Sequence, residues 1–491
     1  GMGEDVFIQR FADVIARAHR LNGENVLFSV GTDEHGEKIQ KAAKEANIPP
    51  QQYVDQMAAE FQKLFDQCLI SYDRFIRTTD PDHVKSAQTF FQKMWDADDI
   101  YPDMFEGWYC VSDETFWTEK DTIQRDKLTN ERNTEDPNRY CPNLHCGKVL
   151  QRVKEESYFF KWSHFQQKLE EWYQKNPTNV IPSFRKNEMQ EFMKKGLHDI
   201  SFSRKSIKWG IPTPVNPEHT IYVWGDALVN YLTVAGYPDK KYDQWWPADL
   251  HVIGHDINRF HSLLWPAMLM SAGVPLPKQV LVHGFVNDAN GEKMSKSKGN
   301  VVDPLVILSK YGIEPIRYFL LREAPLGNDI SFSEKNLMER NNSELADGLG
   351  NLAYRVLSMI EKYNNGIIPK VELNAHILGQ ITPFVQDAYH SYLSHDIQSA
   401  LMHTWKVVNL GNKAIADAEP WKQMKEGKRA EVEQLLATEV ELLRQLSILI
   451  APVLPQTSES LQSQFGFEKP LFNALQKSFS LGGKSIKKGN V

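Results

Sequence analysis

Three short apolar runs constrain this chain most: VLFSV (residues 26–30), DLHVIG (249–254) and VLVHGF (280–285). Each is nearly continuous in apolar side chains, as a strand buried on both faces must be, and each leads into a polar, glycine-bearing stretch. Such strands belong to a parallel sheet covered by helices, because parallel neighbours can be joined only by long crossovers. Residues 5–21 form one crossover helix: Val6, Ile8, Phe11, Val14, Ile15 and Ala18 recur near helical spacing, and Asn22-Gly23 closes the element ahead of VLFSV. In an open parallel sheet ligands sit beyond the carboxyl ends of the strands, so the polar stretches are where chemistry is expected.

The α/β pattern is interrupted. From about residue 101 to 212 the chain turns rich in Asp, Asn and Lys, with aromatic strand-like pieces GWYC and SYFF, and reads as an insertion. The pattern resumes with IYVW (221–224), expected as a strand, and ends with VLVHGF. After about Glu334 only helical patterns joined by short loops remain, to about Gln464. The closing SLGGKSIKKGN reads as a solvated tail. At 491 residues the chain has room for three or more domains.

Composition narrows the classes. Lys and Arg number 56 against 63 Asp and Glu, a net charge of −7, which argues against a protein that coats nucleic acid non-specifically while leaving room for a local basic groove. The best apolar run, LSILIAPVLP from Leu446, falls far short of the ~20 residues needed to span a bilayer. No basic-then-apolar leader pattern opens the chain, so a cytoplasmic protein without membrane contact is expected. Four cysteines are too few to staple a protein of this size, and the grouping of Cys110, Cys141 and Cys146 favours metal over disulfides.

Four polar or mixed clusters carry candidate chemistry. In GTDEHG (31–36), Asp33 could accept a substrate ammonium at the sheet edge with His35 beside it, or these residues could simply cap the next helix. In GHD (254–256), Gly254 lets backbone approach a ligand and Asp256 could take ribose hydroxyls, or cap the helical INRF that follows. GEKMSKSKGN (291–300) is either a solvated loop or a cationic one, with Lys293, Lys296 and Lys298, suited to polyphosphate charge that grows in a transition state. Trp224, Ala227, Leu228 and Tyr231 stand at i, i+3, i+4 and i+7, and Ile257 and His261 form a second i, i+4 face. That stripe is either core or the wall of a small pocket whose aromatic rings suit a thioether.

KMSKS followed by GN, placed after an interrupted α/β core and before an all-helical region, resembles the class I aminoacyl-tRNA synthetases. With GTDEHG, YVWxDALxNY, GxD plus IxxxH, and ELADGLGNLAYR, nearly the whole chain resembles the methionyl-tRNA synthetases. The resemblance implies a Rossmann-type parallel sheet with an inserted connective domain, followed by a helical-bundle anticodon-binding domain. The segments would be 1–104 (first catalytic half), 105–212 (insertion with a zinc knuckle), 213–290 (second catalytic half), 291–340 (KMSKS and stem-contact region), 341–480 (anticodon-binding bundle) and 481–491 (tail). It implies that Asp33 binds the methionine ammonium, that Trp224, Ala227, Leu228, Tyr231, Ile257 and His261 hold its side chain, and that Gly254 and Asp256 hold the ATP ribose. Lys293 and Lys296 would be the catalytic lysines that neutralise the phosphates while methionyl-adenylate forms. Asn351, Arg355 and Trp421 match the positions that read and stack anticodon bases. The partners implied are L-methionine, ATP with Mg2+ and tRNA(Met), in a monomer or homodimer.

Departures from the pattern are equally specific. The family opens with a strand and an H-x-G-H signature; aligned backward from ADVIARAHR, that place holds GMGED. The expectation is a synthetase missing this piece and impaired in adenylation, or else a non-catalytic tRNA-binding relative. A related class I enzyme for isoleucine, valine, leucine or cysteine is a third reading, disfavoured by the lack of a large editing insertion. Cys141 and Cys146 stand at C-x4-C, and Asp113 occupies a position where a second Cys is common, so zinc would need Cys110, Cys141 and Cys146 with Asp113 or His145. His255 and Gly225 replace the usual Lys and Leu.

Overall fold

The computed structural model describes residues 2–117, 119, 122–123, 138–142, 146–292, 294, 300, 302–476, 481–487 and 489, with side chains from residue 9 onward. The chain forms two compact units, Ser29–Leu64 with Tyr72–His283, and Gly1–Phe28 with Phe65–Ser71 and Gly284–Val491.

In the first unit the runs DLHVIG and VLVHGF become parallel strands, whereas of VLFSV only Ser29 and Val30 do, residues 26–28 being half-buried and outside this unit. Ser29–Thr32 pairs with Arg74–Arg77 in parallel, and His251–Gly254, Val280–His283 and Val180–Ile181 form a second parallel group with Val280–His283 central. The first strand begins three residues later than the apolar run, where Gly31 lies so close to Ile76 that a Cβ would come within 2.0 Å of its carbonyl oxygen. The helix Trp265–Ser271, with Trp265, Ala267, Met268 and Leu269 fully buried, covers the strands Val280 and Val282 belong to. The insertion is a four-stranded antiparallel sheet in the order Thr115–Trp117, Ile100–Cys110, Gln151–Phe160, Ile200–Ser201. Its two long strands pair from Ile100↔Phe160 to Tyr109↔Gln151, which brings the cysteine-bearing segments together at one end.

IYVW is not a strand. Only Thr220–Ile221 pairs, antiparallel to Ser203–Arg204, and Val223–Ala227 is helical. A four-residue apolar run fits a buried helix as well as a strand, and here Tyr222 is buried with its hydroxyl donated to the Glu114 carbonyl at 2.8 Å, ahead of the turn into helix.

The second unit is helical, with Ile313–Glu323, Asn351–Asn364, Ala375–Leu393, Ile397–Ala418, Arg429–Ile450 and Pro455–Phe465 as its long members. The first helix, Met2–Leu21, belongs to this unit and is locked into it by a buried ion pair: Asp13 accepts from Arg317 at 2.6 Å, and neither side chain is exposed. Asp13 also accepts from Arg17 and from the backbone and hydroxyl of Ser71, while Arg317 donates to the carbonyls of Cys68, Pro452 and Val453. The Asp13 oxygens together accept four hydrogen bonds and Arg317 donates four, the kind of satisfaction under which burying two charges is tolerable.

The closing segment is not a solvated tail over its described part. Ser485 bridges Ile367, backbone hydrogen bonds join Gly483 and Lys484 to Ile368 and Ile486 to Gly366, and Leu481 is buried. Lysine content misled the reading: the side chains of Lys484 and Lys487 are exposed while their backbone completes a small ladder. Among the described residues no helix is long and apolar enough to cross a membrane.

Candidate active site

The loop that follows Ser29–Thr32 is held by Glu34, not by helix capping. Glu34 is 2 % exposed, accepts from Arg77 and Thr32 at 2.7 Å each and from Thr79, and its backbone N–H donates to Thr78 at 2.8 Å. The helix Glu37–Glu45 has no side-chain cap, so the capping alternative for Asp33 and His35 does not hold. Gly36 takes a φ of 105°, and a Cβ there would lie 2.2 Å from Glu114 Oε1. Trp209 Nε1 donates to the Glu34 carbonyl at 2.6 Å, and Gly36 N donates to the Trp209 carbonyl at 3.1 Å. These bonds present Asp33 as an exposed carboxylate at the end of the strand. The surrounding protein, with Asp226 next in effect, pushes the carboxyl up to about 6. Half-buried Glu114 is pushed up to about 7 by desolvation and then by Asp33 and Glu37, against Lys38.

Beneath Asp33 lies a buried chain of hydrogen bonds. His35 Nδ1 bonds Asp226 Oδ2 at 2.6 Å, His83 Nε2 bonds Asp226 Oδ1 at 2.7 Å, and His83 Nδ1 meets Thr233 Oγ1 at 3.1 Å. Burial works against charge on both partners, but the pairing with His35 holds the Asp226 carboxyl below its ordinary range, and Asp226 lifts the His35 imidazole.

Of the expected stripe, Trp224 and Ala227 sit on the short helix Val223–Ala227, Tyr231 on Asn230–Ala235, and Leu228 in the turn between them. The structure brings Tyr231 and His261 together directly, with the phenol oxygen 2.7 Å from His261 Nε2. His261 Nδ1 donates to the Ile257 carbonyl at 3.1 Å, so its Nε2 is the acceptor for the tyrosine hydroxyl. Burial pushes His261 down to about 4, which leaves a neutral ring beside Tyr231. Trp224 stacks on Phe260 at 4.0 Å and 9°, edge-on to His261 at 6.3 Å. Ala227 and Leu228 are buried, and Ile257 is half-buried. Burial first and Asp33 second raise the Tyr231 phenol, which places Asp33 near Tyr231. Gly225, where the family usually has leucine, is dictated by packing: a Cβ would come within 2.5 Å of the buried Phe202 ring.

Gly254 ends its strand with Asp256 folded back over it, so that a Cβ on Gly254 would meet Asp256 Oδ1 at 2.8 Å. Asp256 is exposed, and the turn His255–Ile257 has no side-chain cap, which removes the capping alternative. Lys293 and Lys296, like Lys298, lie outside the described residues. Around them, Asp288 accepts from the Glu292 backbone at 2.8 Å and from Asn300 Nδ2 at 2.8 Å, and Met294 is buried with Val286, Ile307 and Phe319.

In the insertion Cys110, Asp113, Cys141 and Cys146 bring one donor atom each within 4.8 Å of one another. Cys110 and Cys146 sulfurs are 3.5 Å apart, and Cys141 lies 3.1 Å from Asp113 Oδ2. Hydrogen bonds from Cys110 and Cys141 hold the Cys146 thiol well below its ordinary range. Three sulfurs and one carboxylate fit a tetrahedral zinc ion. His145 lies outside the described residues.

In the helical unit Asn351 is exposed and Arg355 half-buried at the start of Asn351–Asn364, and Trp421 is 44 % exposed in Pro420–Lys425, so it is not a core residue. Tyr354, 61 % exposed between the first two, went unnoticed in the sequence. So did Phe260, His83 and the role of Asp226. A charged residue inside the apolar stripe was the available signal for Asp226; nothing in the sequence singles out His83.

Two groups of parallel strands with Asp33 and Gly254 at strand ends, an inserted antiparallel ribbon and a helical C-terminal unit have the make-up of a class I aminoacyl-tRNA synthetase. The family of class I tRNA synthetases (M) matches residues 6–357. The methionine–tRNA ligase of Caldanaerobacter subterraneus subsp. tengcongensis is 42% identical over 98% of this chain and 74% of its own. That of Thermotoga maritima is 42% identical over 93% of this chain and 72% of its own. The structure of Mycobacterium tuberculosis methionyl-tRNA synthetase in complex with methionyl-adenylate superimposes with a TM-score of 0.93, at 36% identity, over 99% of this chain and 96% of that one. The chain belongs to the methionyl-tRNA synthetase family, whose members are aminoacyl-tRNA ligases.

Proposed function

We propose that the site described above activates L-methionine with ATP to methionyl-adenylate, for transfer to tRNA(Met). The observation that carries this reading is the neutral His261 held by Tyr231 at the end of an aromatic and aliphatic pocket, with the Asp33 carboxylate near it. A free amino acid with an apolar, polarisable side chain matches both ends. Asp33 takes the ammonium; Trp224, Ala227, Leu228, Tyr231 and Ile257 surround the side chain; and His261, which accepts from Tyr231, presents no charge to the thioether. Gly254 and Asp256 take the ribose of ATP, and Lys293 and Lys296 meet phosphate charge as pyrophosphate leaves, with Mg2+ accompanying the nucleotide.

Cys110, Asp113, Cys141 and Cys146 would hold zinc as a structural ion that closes the end of the insertion. Asn351, Arg355 and Trp421 would read the anticodon, Trp421 by stacking and the other two by hydrogen bonds to base edges. The test is amino-acid-dependent ATP–pyrophosphate exchange. Support by methionine well above leucine, isoleucine, valine and cysteine is expected; equal support by any of these would sink the assignment of the pocket.

A further inference from the structure

Asp226 joins three separate segments at the floor of the site. His35 stands two residues beyond Asp33 in its loop, His83 lies in the helix Pro81–Asp96, and Asp226 itself lies between Trp224 and Ala227 on a pocket-lining helix. Thr233, on the helix that carries Tyr231, closes the chain through His83. All four side chains are nearly or fully buried, with exposures of 8 % for His35, 0 % for His83, 1 % for Asp226 and 2 % for Thr233. Both bonds to the carboxylate are short, 2.6 Å to His35 and 2.7 Å to His83.

An amino acid bound here has to span from Asp33 to the side-chain pocket. The loop that carries Asp33 and the helix that carries Trp224 and Ala227 are tied to each other through the Asp226 carboxylate. We propose that Asp226 is a positioning residue that fixes this span, and with it the side-chain length the site selects. The proposal rests on the reading of Asp33 and the pocket given above. Asp226 touches no substrate; it acts by holding His35 and His83. The loop has other anchors in Glu34 and Trp209, so losing the Asp226 tie loosens its distance from the pocket helix without releasing it altogether.

Length discrimination is the readout that a merely structural role would not move. Affinities for methionine, its one-methylene-shorter homologue S-methylcysteine and its one-methylene-longer homologue ethionine are measured by equilibrium dialysis on the wild type, Asp226→Asn and Asp226→Ala. One methylene in a fitted pocket discriminates by roughly 10- to 200-fold. Asp226→Ala is expected to shrink the preference for methionine over both homologues at least tenfold. Asp226→Asn, which can still accept from one histidine and donate to the other, is expected to keep it within threefold. His35→Ala removes the loop side of the tie and is expected to shrink the preference as Asp226→Ala does, with the double variant no worse than either. Should Asp226→Ala fail to fold, His35→Ala carries the test, because His35 lies nearer the surface of the site. Preference ratios unchanged in Asp226→Ala and His35→Ala, even with weaker binding throughout, overturn the proposal. Methionine affinity unchanged in Asp33→Asn overturns the underlying reading, and the proposal with it; a normal Asp33 effect with unchanged ratios overturns the proposal alone.

Discussion

Asp33 offers the sharpest quantitative expectation, because its carboxyl is pushed up to about 6 by its surroundings and has to be ionised to pair with an ammonium. The sign follows from which state binds. Below pH 6 the free site holds a proton that methionine must displace, so affinity falls as pH falls. With a free-site value near 6, about 97% of sites are ionised at pH 7.5 and about 9% at pH 5, an affinity loss of roughly tenfold over that range, with about another tenfold per unit below. At pH 6 binding should release about half a proton per site, which calorimetry in buffers of different ionisation enthalpy reads directly. Glu34, His35, His83 and Asp226 face the same carboxylate. Of these His35 also titrates upward of its usual value, so part of the rise in affinity with pH belongs to it. That part survives in Asp33→Asn, whereas the steep acid limb and the proton release do not. At pH 7.5 the same variant loses a charge-assisted contact of about 1.5–3 kcal/mol, or roughly 10- to 150-fold in Kd. Affinity that stays flat from pH 8 to pH 5 in the wild type, or an acid limb that persists in Asp33→Asn, would refute the assignment of Asp33.

Glu439 on Arg429–Ile450 is fully buried, neither carboxyl oxygen has a hydrogen-bond partner, and burial raises its carboxyl well above the ordinary range despite Arg355 nearby. A carboxyl raised in the folded state loses stability as pH rises above its unfolded value, so Glu439→Gln should stabilise the helical unit by about 1–3 kcal/mol at pH 8 and little at pH 5, measured by thermal melts at both; destabilisation at both values would contradict this. Gly225→Leu should lower the melting temperature through an overpacking cost of about 1–3 kcal/mol against Phe202, and an unchanged melt would show that the ring can yield. Protein purified without chelator should carry about one zinc per chain by elemental analysis, and Asp113→Ala should hold it more weakly than Asp113→Cys; a chain free of zinc would remove the metal from the account.

Much of the parallel core was legible because strands buried on both faces must be apolar throughout, and VLVHGF reads so at first sight. IYVW was equally apolar and became a helix start, since four residues are too few for a period of 2 to be told from one of 3.6. The solvated-tail reading failed for a different reason: backbone pairing between Ile368 and Lys484 depends on where distant segments end up, which lysine side chains do not encode. Within the site, ordered motifs pointed to Asp33, Trp224, Tyr231 and His261 by resemblance. The chain from Thr233 through His83 and Asp226 to His35 was invisible, because its members are up to 198 positions apart and meet only in the folded protein.

The most direct measurement is equilibrium dialysis of labelled methionine against the protein and its His261→Ala variant. The account predicts one saturable site in the wild type and binding at least tenfold weaker in the variant, whose Tyr231 hydroxyl loses its acceptor and whose pocket loses its end wall. Equal affinity in the two proteins would return His261 to the core and contradict the account.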